Sequence, residues 1–139
     1  MDQIDRILSA PPFDLDGEGR GWVRTTLAGM DRAAKVRQLF VHICFGTGPD
    51  VVERITALAP AGITKFFGPD AQAELDTLDA LRGAAAIPYL VSADLEGSRM
   101  SLPFGTEVPN PLALAAVDDV EASETIARIM AEEARAAGI

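Results

Sequence analysis

The hydrophobic and polar positions of this chain fall into a repeating block. Residues 38–45 (QLFVHICF) are bulky and mostly apolar and are closed by Gly46-Thr47-Gly48, the form of a strand that is parallel, central and covered on both faces. Behind it Pro49 suits a first helical turn, and Val51, Val52, Ile55 and Leu58 form one apolar stripe before Pro60 and Gly62. That spacing predicts a helix lying on a sheet. The block then repeats. Residues 62–67 (GITKFF) read as a second short strand, Gly68-Pro69-Asp70 as a turn or cap, and Leu75, Leu78 and Leu81 as a second helical stripe ending at Gly83. Residues 87–93 (IPYLVSA) read as a third strand, with Pro88 tolerated only near its start.

The flanks are less regular. Residues 3–9 predict a short helix stopped by Pro11-Pro12, and the acidic, glycine-containing residues 14–21 read as a surface connection. Trp22, Val23, Thr26, Leu27 and Met30 recur at helical spacing, and Asp31 suits the cap of a further short helix running to about Val36. Past the third strand, Pro103, Gly105, Pro109 and Pro111 argue against a regular element until Asp118, whose spacing to Glu121 suits a capping pair. The last helix uses Ile126, Ile129, Met130, Ala134 and Ala137 and stops at Gly138.

Three successive strand-then-helix units imply parallel strands joined by right-handed crossovers, an α/β architecture. A doubly wound domain has five or six strands, whereas three are readable here. The expected fold is therefore the first part of a TIM-type (β/α)8 barrel, with residues 1–21 as a lead-in and residues 22–139 as a partial barrel domain stopping before its fourth strand.

Composition narrows the function classes. Apolar residues make up 48% and charged residues 24%, the balance of a globular domain. Twelve Lys and Arg against 21 Asp and Glu leave a net charge of -9, which repels phosphate backbones and anionic lipid, so neither nucleic acid nor membrane is expected as a partner. The single cysteine, Cys44, lies among apolar neighbours, and Met1-Asp2-Gln3-Ile4-Asp5 lacks the basic and apolar regions of a signal peptide. A cytoplasmic protein is the expectation. His42, the one histidine, reads as a core residue bonded to backbone, and with Cys44 it offers too few ligands for a metal. Gly46-Thr47-Gly48 is too short for a phosphate loop and lacks its lysine. No cofactor or metal is expected.

Polar candidates remain at the strand ends. Lys65 interrupts an apolar strand, either as a strand-end binding cation or as a snorkelling edge residue. Asp94 follows the third strand, at the end where barrel enzymes carry their working groups. Glu96 and Arg99 either pair with each other or help to orient Asp94. The acidic face of the last helix, with Glu121, Glu124, Glu132 and Glu133, reads as solvated surface.

Several segments in order carry a resemblance. Trp22-Val23 with Leu27 and Met30, Lys35-Val36-Arg37-Gln38-Leu39-Phe40, Gly62-Ile63 with Phe66-Phe67, the run from Ala93 through Asp94-Leu95-Glu96-Gly97-Ser98-Arg99 to Met100, and the last nine residues (AEEARAAGI) resemble the N-terminal barrel domain of family 3 glycoside hydrolases, in particular the β-N-acetylhexosaminidase branch. The resemblance implies retaining hydrolysis of a β-linked glycoside, with carbohydrate as the partner. It gives Asp94 the role of accepting hydrogen bonds from sugar hydroxyls and makes Arg99 a second substrate-binding residue. Two departures stand out: Ser98 where the family commonly has glycine, and Leu102 where it often has a further arginine. The nucleophile and the acid/base belong to segments outside this stretch, so no catalytic residue is assigned. Three parallel strands leave an open edge, for which self-association or a covering partner is expected. The alternative is a small non-catalytic α/β binding or scaffold domain.

Overall fold

A computed structural model describes residues 2–139, whose contacts gather into two units divided between Val36 and Arg37. In the first, α1 (Gln3–Leu8) starts at Asp2, whose carboxylate accepts from the Asp5 amide at 2.9 Å. Helix α2 (Gly17–Gly29) sends Arg24 back to α1, with Nε 3.1 Å from Asp5 Oδ1 and a second ion pair to Asp2. The surface connection expected over residues 14–21 is shorter than its glycines imply. Asp16 accepts from the Gly19 amide at 2.8 Å and starts α2 at Gly17, a local cap that outweighs the poor helix propensity of three glycines. Helix α3 (Arg32–Arg37) begins as expected, Asp31 accepting from the Ala34 amide at 2.7 Å.

The second unit is built on a parallel sheet of β1 (Val41–Phe45), β2 (Gly62–Phe66) and β3 (Leu90–Ser92), in the order β1-β2-β3. Helices α4 (Pro49–Leu58) and α5 (Ala71–Ala84) follow the first two strands. Their buried Val51, Ile55, Leu78 and Leu81 join Cys44 and Ile63 in one core, edged by Val52, Phe67, Tyr89 and Val91. Period-2 alternation then decides the other face: Val41, Ile43 and Phe45 are 54%, 60% and 59% exposed.

The first strand is therefore neither central nor covered on both faces. It lies at a sheet edge, and only its His42 and Cys44 side is turned to the helices. A run of bulky residues looks the same whether its second face is covered by helices or by other strands across a barrel. Sequential strand order with both core helices on one face is the barrel arrangement, since a doubly wound sheet carries helices on both faces. The chain thus forms the α/β first part of a TIM-type barrel, as expected.

Other expectations are corrected beyond β2. The third strand is three residues long and excludes Pro88; it begins where the Leu90 amide donates to Ala61 O at 3.0 Å. The passage expected to be irregular holds α6 (Pro111–Val117), because Asn110 caps it through the Ala113 amide at 2.9 Å and Pro111 takes the first helical position, where its missing N–H costs nothing. Asp118 ends α6 in the left-handed region rather than opening the next helix. Its neighbour Asp119 caps α7 (Val120–Ala136), accepting from Glu121 N at 2.9 Å and Ala122 N at 3.2 Å. Glu133 is not simply solvated, for its carboxylate accepts from the amide and hydroxyl of Thr106 at 3.0 and 2.5 Å and ties the loop after β3 to α7.

Candidate functional site

Because the strands are parallel, Phe45, Phe66 and Ser92 end at one edge of the sheet, and the segments that follow them emerge together. Sites in such folds form at this carboxyl end. Asp94 is exposed there, two residues past Ser92. The β2–β3 register pairs Gly62 with Leu90 and Thr64 with Ser92, its last pair before Asp94. Within β3, Leu90 and Ser92 face the open side of the sheet. On that face Phe66 stacks on Phe45, ring centroids 4.8 Å apart, and the hydroxyls of Thr64 and Ser92 lie 3.0 Å from each other. Two hydroxyls and an aromatic pair thus share the open face, and the exposed Asp94 carboxylate follows its third strand. Such a set accepts hydrogen bonds from neighbouring hydroxyls and offers ring faces to C–H groups.

The loop carrying Arg99 is held by its own backbone. The Glu96 and Gly97 amides donate to Met100 O at 2.7 and 3.0 Å, and the Ser98 amide donates to Val108 O at 2.7 Å. Gly97 has φ +85°, and a Cβ there would overlap Pro109 O, so this approach of two backbone segments requires glycine. Arg99 is exposed on that turn. Among the described residues no ion pair joins it to Glu96, so the pairing weighed from their spacing is not formed. Leu102, where the family often has an arginine, is packed away at 7% exposure.

Lys65 fits neither of its two expected roles. It is 1% exposed, on the helix side of β2, with Nζ 2.5 Å from Glu74 Oε2 of α5. Glu74 Oε2 takes no aligned hydrogen bond, and its partner is the ammonium alone. Nζ also donates to Gly46 O at 3.0 Å and Phe66 O at 3.1 Å and sits 5.3 Å from the Phe67 ring. The nine-residue separation carried no pairing signal, because a strand and the helix after it bring such positions together only once the crossover has formed. His42 is half-buried, 6.3 Å from the Phe40 ring, and takes no side-chain hydrogen bond among the described residues. Burial pushes the Cys44 thiol up, against the opposing charges of Lys65 and Arg54. Among the described residues no three His, Cys, Asp or Glu side chains gather to hold a metal ion, and no helix is long and apolar enough to cross a membrane.

No family model matches the chain. A protein described as beta-N-acetylglucosaminidase/beta-glucosidase from Cellulomonas fimi is 35% identical over 133 residues, spanning 95% of this chain and 24% of its own length. A solved structure of beta-glucoside phosphorylase BglX bound to 2FGlc superposes with a TM-score of 0.83 at 27% identity, over 99% of this chain and 25% of that one. Over nearly its whole length the chain is thus similar to one part of these proteins, in keeping with the family 3 resemblance. A second BglX structure gives a TM-score of 0.81 at 26% identity, over 99% of this chain and 24% of that one. The chain spans about a quarter of the length of the proteins it matches, and its three parallel strands correspond to the N-terminal barrel part of BglX.

Proposed function

We propose that this chain supplies the first sugar-holding wall of an enzyme that cleaves β-linked glycosides, with Asp94 as the carboxylate that accepts from the sugar hydroxyls. The observation that supports the reading is the position of Asp94: exposed and two residues past the end of β3, at the carboxyl end of the sheet. A carboxylate bonded to two adjacent hydroxyls holds a pyranose ring in one orientation for attack at its anomeric carbon, and orientation lowers the barrier. Arg99, exposed on the following turn, is assigned a second contact to the substrate. The covalent step, attack by a carboxylate with a second group first protonating the leaving oxygen, belongs to residues outside this chain.

The substrate is assigned as a β-glucoside or β-N-acetylglucosaminide, the two sugars in the name of the 35% identical relative. A second reading has its own support: BglX is named a phosphorylase, so the sugar would pass to inorganic phosphate instead of water. One assay separates them. The protein that carries this chain is offered 4-nitrophenyl β-glucoside and β-N-acetylglucosaminide with and without inorganic phosphate. Hydrolysis in both conditions supports the first reading; strict dependence on phosphate, with sugar 1-phosphate as product, supports the second. Asp94→Asn is expected to lower kcat/KM by roughly 10- to 100-fold, the loss of charge-assisted hydrogen bonds worth about 1.5–3 kcal/mol, with the circular-dichroism spectrum retained. An unchanged rate removes Asp94 from the sugar site, and no turnover of either glycoside favours a binding or scaffold domain.

A further inference from the structure

Lys65 and Glu74 are a buried ion pair that the site's chemistry does not use, with side chains 0% and 1% exposed. Such a pair is weak support for stability, because desolvation offsets most of the attraction. Its placement points elsewhere. The Lys65 ammonium donates to Gly46 O, in the segment leaving β1, and to Phe66 O, at the end of β2. The Glu74 carboxylate accepts from the Gly68 amide at 2.6 Å through Oε1, in the segment leaving β2. Gly48 is held from the same helix, its amide donating to Thr77 Oγ1 at 2.9 Å. One turn of α5 therefore grips both segments that emerge between the strand ends and their helices.

We propose that Lys65 and Glu74 are positioning residues that lock the two segments after β1 and β2, and with them the stacked Phe45 and Phe66, at the rim of the sugar site. Neither side chain is exposed enough to touch a substrate, so the pair acts through what it holds. This role rests on the reading of that rim as a sugar site, but its structural half is measurable without a sugar.

The discriminating variant is the double replacement Lys65→Met/Glu74→Leu, which removes both charges and leaves apolar bulk, so that no lone charge is buried. Amide hydrogen exchange is followed residue by residue, with KM and kcat for the β-glucoside measured in parallel. Exchange at Gly68 is expected to quicken on the order of tenfold or more while Ile63 and the middle of α5 keep their protection, the signature of local opening. KM is expected to rise by about tenfold, with kcat within about threefold. Unchanged exchange at Gly68 overturns the proposal, as does an equal loss of protection in loops and strands, which marks a merely structural pair. A loosened Gly68 with an unmoved KM overturns the link to the site. If the unaltered protein turns over no glycoside, the functional reading falls while the exchange result alone decides whether the pair locks the loops. Should that double variant not fold, Lys65→Met/Glu74→Gln decides: it buries no lone charge and keeps an acceptor for the Gly68 amide but loses the ammonium's bonds to Gly46 O and Phe66 O, so an unchanged KM overturns the proposal.

Discussion

Single atoms decide where the strands of this sheet can meet. A Cβ at Gly62 would lie 2.9 Å from Leu90 Cβ and closer still to Leu90 O, so the absence of a side chain lets β3 start where it does. Gly62→Ala is expected to cost about 1–3 kcal/mol through overpacking against backbone that cannot give way, read as a lower urea midpoint with the slope unchanged. A midpoint equal to that of the unaltered chain shows that the strands part without cost. Asp94 was singled out from its motif and from strand-end position, and Arg99 from the motif alone. Lys65 was visible only as an anomaly in an apolar run, because the carboxylate that neutralises it is delivered by the next helix.

At the level of elements, some helix starts were legible from an Asp before the apolar stripe, while those at Asp16, Asn110 and Asp119 were not. Asp31 and Asp70 cap as their spacing implies, each accepting from the amide three residues on. Where two helices abut, hydrophobic spacing cannot assign the residue between them, which is how Asp118 closes α6 while Asp119 opens α7. The clasp between α1 and α2 carries a pH dependence. Hydrogen bonds from Arg24 and from the Asp5 amide hold the Asp2 carboxyl below the usual carboxylate range, so its contribution is present above the unfolded value, about 4, and is lost as pH falls through the lower folded one. Lowering the pH below about 4 at low salt is expected to reduce the protection of α1 amides relative to their intrinsic exchange rate, and Asp2→Asn to remove that dependence. An equal pH response in Asp2→Asn assigns the effect to another group.

For the molecule as a whole, the open face of the sheet dominates behaviour. Val41, Ile43 and Phe45 on β1, with Leu90 at 71% exposure on β3, form apolar surface beside a strand edge whose backbone groups have no partner strand among the described residues. Such a combination invites pairing with another chain. The isolated chain is expected to associate as its concentration rises, and Ile43→Lys to shift the mass measured by light scattering back toward one chain. Equal association of the two would place the contact elsewhere.

The pattern of residues determined the three strands, the helices between them and the parallel α/β class, because period, caps and turn residues act over a few positions. It also marked Asp94 as the strand-end carboxylate. What only the tertiary structure decided was which side of each strand the helices cover, that β1 lies at an edge, and that Lys65 is neutralised by Glu74. Those facts depend on contacts between residues distant in the chain, and a bulky apolar strand reads alike whether helices or further strands lie across from it.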